Sequence, residues 1–462
     1  MSAESALALF DRDRETFLED LKVFLRFQSI SAQSDHAVDM ADCAKWIAAQ
    51  LRLAGIEARL VPTARHPVVI ADTGPIDNSG APTLLFYGHY DVQPVGDPKL
   101  WTTPPFEPTI RDDAIYARGS ADDKGQVMTH LAAVRCWRKS GQPWPARIRF
   151  IIEGEEEIGS PNLPDVLRKH AADLACDYVV LSDTAKLNAQ TPALAYATRG
   201  LVYKEIIVEG PNRDLHSGQY GGAVANPANT LTDILSSLKD GRGRVTIPGF
   251  YDQVRPLSPD ERRSLDRAGL TDNELLATTG CPAPAGEADY TTAERCTARP
   301  TLDVNGLLAG YTGEGAATVI PARATAKVSM RLVADQDPRH ISQAFDRAVR
   351  TACPPTVQVR IADHSHCAAY LAPTDSPGMR AAAAALTASF GKPPVFTREG
   401  GTLPILPLFK QILGADSIML GFAVPDCNLH SPNEFFHLSD FHNGTRCILH
   451  FLSRMGEINI TH

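Results

Sequence analysis

Apolar residues recur along this chain with two alternating periods, and these periods predict its elements. Over 4–26, Phe10, Phe17, Leu18, Leu21, Phe24 and Leu25 fall near helical spacing and predict an amphipathic helix. A second helix is expected over 37–54, stopped by Gly55. Short apolar runs at 68–71 and 83–87 read as strands separated by a Gly/Pro/Asn/Asp turn. After a Pro- and aromatic-containing loop at 97–108, a short strand at 115–118 leads into Gly-Ser-Ala-Asp-Asp-Lys-Gly. A helix at 126–139, a strand at 147–152, a helix at 161–172 and a buried strand at 178–181 come next. This alternation predicts an α/β domain with a largely parallel sheet flanked by helices.

Near Tyr196 the pattern changes. Residues 201–208 alternate like a half-buried strand, and helices are expected at 226–238 and 258–268. A long β stretch at 318–333 is interrupted at Pro321, and a helix at 338–351 and a strand at 357–361 complete the module. A small sheet with helices on one face, an α+β unit, is the expected form. Beyond Tyr370 the α/β character returns: an Ala-rich helix at 381–390, a buried strand at 417–421 and a final helix at 438–455. The chain therefore reads as one discontinuous domain, 1–195 and 371–462, with 196–370 inserted into it.

The length, 462 residues, has room for two or three domains, and the 44% apolar share allows a core of ordinary size. A formal net charge of −9 argues against a nucleic-acid partner and gives no support for binding anionic membranes. The first residues carry no signal-peptide h-region, and no apolar run reaches about 18 residues, so neither export nor a membrane span is expected. Nine cysteines are scattered without a C-x-x-C pair. They read as reduced, mostly buried thiols in a cytoplasmic protein, not as a disulfide frame or a cysteine zinc site.

Chemistry gathers where strands end. Leu-Leu-Phe-Tyr-Gly-His-Tyr-Asp-Val, residues 84–92, is a buried strand ended by Gly88, with His89 and Asp91 just past its carboxyl end. Open α/β sheets place ligands there, and residues two apart in extended chain point the same way. Asp122 lies at a turn into a helix, where a carboxylate also serves as a cap. Glu155, Glu156 and Glu157 follow the 147–152 strand, and three adjacent carboxylates suit either a solvated loop or a dication. Asp183 follows the strand at 178–181, and His430 follows the one near 417–421. His89, Asp122, Glu157, Asp183 and His430 thus fall at sheet ends of one domain. Two histidines and three carboxylates suit a pair of Zn²⁺, Mn²⁺ or Co²⁺ ions better than Ca²⁺ or Mg²⁺, with one carboxylate bridging.

The chain resembles the M20 family of metallopeptidases over nearly its whole length, most closely the long-lid dipeptidase branch that includes carnosinase-like enzymes. Seven motifs in order carry the resemblance: Gly-His-Tyr-Asp-Val, Arg-Gly-Ser-Ala-Asp-Asp-Lys-Gly, Glu-Gly-Glu-Glu-Glu-Ile-Gly-Ser, Asp-Leu-His-Ser-Gly-Gln-Tyr-Gly-Gly, Val-Ile-Pro, Arg-Glu-Gly-Gly-Thr and His-Ser-Pro-Asn-Glu. Ala121 stands where the family often has Thr, at a position that is not a ligand.

The resemblance implies roles. His89 and His430 would bind one metal each, Asp122 would bridge, and Glu157 and Asp183 would complete the sites. Asp91 would accept the other imidazole N–H of His89, and Glu156, chosen over Glu155 by register, would be the general base. The insertion would be a lid and dimerisation domain, hinged near Thr198 and at 366–370. Its His216 would reach the partner subunit's site to steady the oxyanion, and its edge strand, 357–361, would pair across the two-fold axis. Arg331 would hold the substrate carboxylate, Thr318 and Thr402 would touch substrate, and Glu399 would meet its ammonium. The peptide between Asp122 and Asp123 is expected to be cis.

The implied reaction is hydrolysis of dipeptides or similar small peptides with a free carboxylate, through a metal-bridging hydroxide. The alternatives are an N-acyl-amino-acid deacylase or carbamoylase using the same site, and a binding protein that has kept the fold. The length of the insertion favours the dipeptidase, and no expected ligand or base is missing.

Overall fold

The computed structural model describes residues 2–78 and 80–459. Contacts divide the chain into two units: residues 1–196, 372–397 and 408–462 form the first, and 197–371 with 398–407 the second.

The first unit is built on a mixed sheet. Thr83–His89 lies between Arg147–Glu153 and Tyr178–Leu181 and is parallel to both; Asp416–Met419 is parallel to Tyr178–Leu181. These four strands form a parallel centre. A hairpin of Glu57–Val61 and Val68–Asp72 adds antiparallel to Arg147–Glu153, and Ala195 pairs antiparallel with Met419 on the other side. The expectation of a largely parallel sheet is corrected to this extent. Glu57–Val61 is not foreseen because Val61 is its one buried residue, so it carries almost no apolar signal.

Helix Lys124–Lys139 packs against Glu4–Arg26 and Leu438–Met455, and every residue from Lys124 to Trp137 is buried. Residues 161–172 hold two short helices, Leu163–Lys169 and Ala171–Leu174, where one was expected. Gly88 does not end its strand. It sits in the ladder opposite Ile152, with His89 opposite Glu153. A Cβ at Gly88 would collide with the Val127 side chain, so the glycine serves close helix-on-sheet packing. A small sheet of Thr109–Arg111, Ala114–Tyr116 and Phe435–His437 carries the 430s segment to the loop after Tyr116.

The second unit holds a four-stranded antiparallel sheet in the order Thr301–Ala309, Arg323–Leu332, Gly200–Glu209, Gln358–Cys367. Val202, Ile206, Val328 and Met330 pack with Leu231 and Ile234 of Pro227–Ser237 and Phe345 of Pro338–Ala352. The strand expected at 357–361 runs on to Cys367 and is an edge strand. Val319–Ile320 pairs with Leu215–His216 as a separate two-stranded piece, divided from Arg323–Leu332 at Pro321. Among the described residues, no helix is long and apolar enough to cross a membrane.

Candidate metal centre

Parallel strands that all run one way present their carboxyl ends on one rim of the sheet. His89 closes Thr83–His89, Asp183 lies two residues past Tyr178–Leu181, and the acidic run follows Arg147–Glu153. Two groups converge there. His89, Asp122 and Asp183 bring one ligand atom each within 4.8 Å of one another, and so do Asp122, Glu157 and His430. Asp122 is common to both and divides its oxygens between them. Oδ1 lies 3.1 Å from His89 Nε2, and Oδ2 lies 2.9 Å from His430 Nε2. Asp183 Oδ2 is 3.8 Å from His89 Nε2, and Glu157 Oε2 is 3.4 Å from His430 Nε2. The peptide linking Asp122 to Asp123 is cis, as expected.

His89 Nε2 tests whether cations fit. His89 is fully buried, and its Nε2 has no hydrogen-bond partner. Nδ1 lies 3.1 Å from the main-chain oxygen of Asp91, an acceptor, so the hydrogen belongs on Nδ1 and the Nε2 lone pair faces Asp122 and Asp183. An orphaned buried lone pair aimed among carboxylates fits a metal ligand. The carboxylates agree. Burial, opposed by His89 and reinforced by Asp183, Glu157 and Asp122, pushes Glu156 up to about 9. Burial and Asp122 push Glu157 up to about 7 and Asp183 up to about 6. Without a cation, Asp122, Asp91 and Asp183 outweigh the opposing effect of burial and raise His89, so that a proton takes the place at Nε2 that a cation would fill. The site concentrates negative charge that a pair of dications would neutralise.

Asp91 offers His89 Nδ1 two acceptors. The nearer acceptor for His89 Nδ1 is the Asp91 carbonyl, with its carboxylate at 3.4 Å. The carboxylate accepts the backbone N–H groups of Glu156 (3.2 Å) and Glu157 (3.0 Å) and so fixes the acidic loop. Glu155 is fully engaged elsewhere: it accepts from the Thr63 hydroxyl, the His66 N–H and the Asn162 amide at 2.7–2.9 Å. Among the described residues, no hydrogen bond reaches the Glu156 carboxylate.

Two supporting residues were not expected from the sequence. Gln93 Nε2 donates to Glu157 Oε2 at 2.8 Å. Glu434, fully buried, accepts from Arg118 Nη1 (2.7 Å) and from the N–H groups of Gly119 (2.9 Å), Ala121 (2.9 Å) and Asp122 (3.1 Å). The motif His-Ser-Pro-Asn-Glu contains Glu434, and its place four residues after the candidate ligand His430 is the signal that could have found it.

The remaining candidates lie in the second unit. Arg331 Nη1 donates to Thr402 Oγ1 at 2.6 Å. His216 is exposed and pairs with Val319, and Thr318 O accepts the Ser217 N–H at 3.0 Å. The Gly218 N–H donates to His216 Nδ1 at 3.0 Å, which leaves Nε2–H as a donor. Glu399 ends the strand Val395–Glu399, and burial raises its carboxyl.

The chain is similar to known peptidases over nearly its whole length. The profile described as Peptidase family M20/M25/M40 matches residues 85–454. A Cys-Gly metallodipeptidase of Candida albicans is 32% identical, covering 97% of each chain. The Homo sapiens beta-Ala-His dipeptidase is 28% identical over 99% of this chain and 93% of its own. Among solved structures, an M20 family metallo-carboxypeptidase from Sulfolobus solfataricus superposes with a TM-score of 0.83 at 32% identity, covering 96% of this chain and 99% of that one. Human carnosine dipeptidase 1 superposes with a TM-score of 0.78 at 27% identity, covering 99% of both.

Proposed function

The chain belongs to peptidase family M20/M25/M40, and on that premise we propose that it is a metal-dependent dipeptidase. One observation carries the reading: Asp122 offers one oxygen to each of two histidine–carboxylate groups. His89, Asp183 and Asp122 would hold one ion, and His430, Glu157 and Asp122 the other. The two-histidine, three-carboxylate set suits zinc, with manganese or cobalt able to serve. Bound there, the ions would acidify a water and polarise the scissile carbonyl.

The chain's own residues do the rest. Glu156, whose carboxylate accepts no hydrogen bond among the described residues, takes the proton of the attacking water and returns it to the leaving amine. Arg331, steadied by Thr402, grips the terminal carboxylate. Thr318 touches substrate, and Glu399 meets its ammonium. His216 Nε2–H donates to the oxyanion. Named dipeptidases that match nearly the whole chain support this choice over deacylation. Nine free thiols and no disulfide support a cytoplasmic setting.

Activity should vanish with chelator and return with Zn²⁺ or Mn²⁺, on carnosine, Cys-Gly or Ala-Ala. Turnover of N-acetylated or N-carbamoylated amino acids with none of the dipeptides would assign the site to acyl-amino-acid cleavage. No turnover of either class by reconstituted protein would leave a binding protein.

The same reading includes a homodimer through the second unit, with His216 acting in the partner's site. The edge strand Gln358–Cys367, with one side unpaired among the described residues, supports it. Mixing tests it. Glu156→Gln and His216→Ala homodimers should each be inactive. After subunit exchange, each heterodimer has one site with intact Glu156 and a native His216 from its partner. Activity should recover toward one site per heterodimer. Exchange without recovery would place His216 in its own chain's site or outside the reaction.

A further inference from the structure

The second unit contains a cavity of about 550 Å³, a size suited to small molecules. Its floor is the sheet face on which Arg331 stands opposite Thr301, and Ser329 opposite Asp303. Segment 285–300, Arg199 and Lys239 form its walls.

Charge in this cavity is one-sided. Arg199, Lys239, Arg295, Arg299 and Arg331 line it, against Glu287 and Asp303. Glu287 is taken: Arg299 holds it with two hydrogen bonds of 2.7 and 2.9 Å, and Arg244 adds one of 3.2 Å. Asp303 accepts from the Thr301 hydroxyl at 2.8 Å. Among the described residues, the other four cations form no ion pair and bond only to neutral oxygens. Arg199 Nε donates to Gly400 O (2.7 Å), Lys239 Nζ to Leu302 O (3.0 Å), Arg295 Nε to Glu287 O (2.8 Å) and Arg331 Nη1 to Thr402 Oγ1 (2.6 Å). Partial burial and then the charge of Arg331 lower Arg199 to about 10, so the two guanidiniums feel one another. In a chain of net charge −9, such a group repels itself until an anion enters.

A dipeptide's terminal carboxylate supplies one negative charge, and Arg331 with Thr402 accounts for it. We infer that the cavity receives a second carboxylate, on the side chain of the substrate's carboxy-terminal residue, with Arg199 as its principal contact. The substrate class is then dipeptides ending in Asp or Glu. This rests on the dipeptidase reading and narrows it. Arg199 also buttresses the loop that carries Thr402, since its own N–H donates to Gly401 O at 3.0 Å. Its test must therefore separate positioning from binding.

Ala-Glu and Ala-Gln are near-isosteres that differ in this charge. With metal-reconstituted full-length protein, kcat/KM should favour Ala-Glu by about tenfold or more, the scale of one charge-assisted hydrogen bond. Arg199→Gln should bring the ratio near one, and Arg199→Lys should keep part of it. A buttress alone would lower both substrates together and leave their ratio untouched. Cleavage of Ala-Ala with a wild-type Glu/Gln ratio of one would overturn this inference and spare the dipeptidase reading. A preference that survives in Arg199→Gln would overturn the assignment to Arg199. Cleavage of none of the three peptides would overturn the dipeptidase reading and this inference with it.

Discussion

Glu156→Gln is expected to keep its metal and lower kcat for a dipeptide by about 10²–10⁴-fold, the usual cost of losing a general base. The three carboxylates of the acidic loop have separate surroundings. Glu155 is spent on Thr63, His66 and Asn162, and Glu157 faces His430. Of the three, Glu156 alone has a half-buried carboxylate that accepts no hydrogen bond among the described residues, as a proton carrier must. A glutamine keeps its shape and removes its basicity. Metal content measured beside kinetics decides it. If ions and activity fall together, Glu156 is a ligand and the register of base and ligand must shift by one.

The second large effect is expected at Glu434, which touches no proposed substrate. Glu434→Ala should cost about 3–5 kcal/mol, because it strands a buried arginine as well as three backbone N–H groups. Against a typical total of about 5–15 kcal/mol, that is a large fraction of stability. Arg118 would be left at 1% exposure without its partner. The loop from Gly119 to Asp122 would lose the acceptor that sets its path. Denaturant midpoint and metal content should both drop. Glu434→Gln keeps the volume but supplies one acceptor oxygen in place of two, and it should fall between. A stable, metal-replete Glu434→Ala protein would show that the loop holds itself.

Such long-range ties explain what was legible in the sequence. His89, Asp183 and the acidic run were readable because each follows a buried apolar strand within a few residues. The partners of Glu434 lie more than 300 positions away, and no local period reports that. Gly88 looked like a terminator because a glycine after an apolar run has two meanings, and the packing of Val127 decides between them. Strand Thr301–Ala309 was not legible because its pattern is broken by Asp303, Asn305 and Gly306, and by a bulge between Val304 and Gly306. Leu307 and Leu308 on it are exposed, so burial does not mark them. The grouping of 398–407 with the second unit is a property of contacts alone.

The descent of Asp122 and His430 from distant parts of the chain bears on the order of synthesis. Residues 1–183 contain one histidine–carboxylate group entire: His89, Asp122 and Asp183. The other waits for His430, and the clamp on Asp122 waits for Glu434. Domains generally fold as units, amino-terminal ones first, while the ribosome is still adding later residues. The nascent first unit therefore stands with one side of Tyr178–Leu181 open until Asp416–Met419 arrives. The whole of 197–371 is made in that interval. On the proposed ligand sets, a newly made chain could gather its first ion early, but the pair would stay incomplete until His430 has been added.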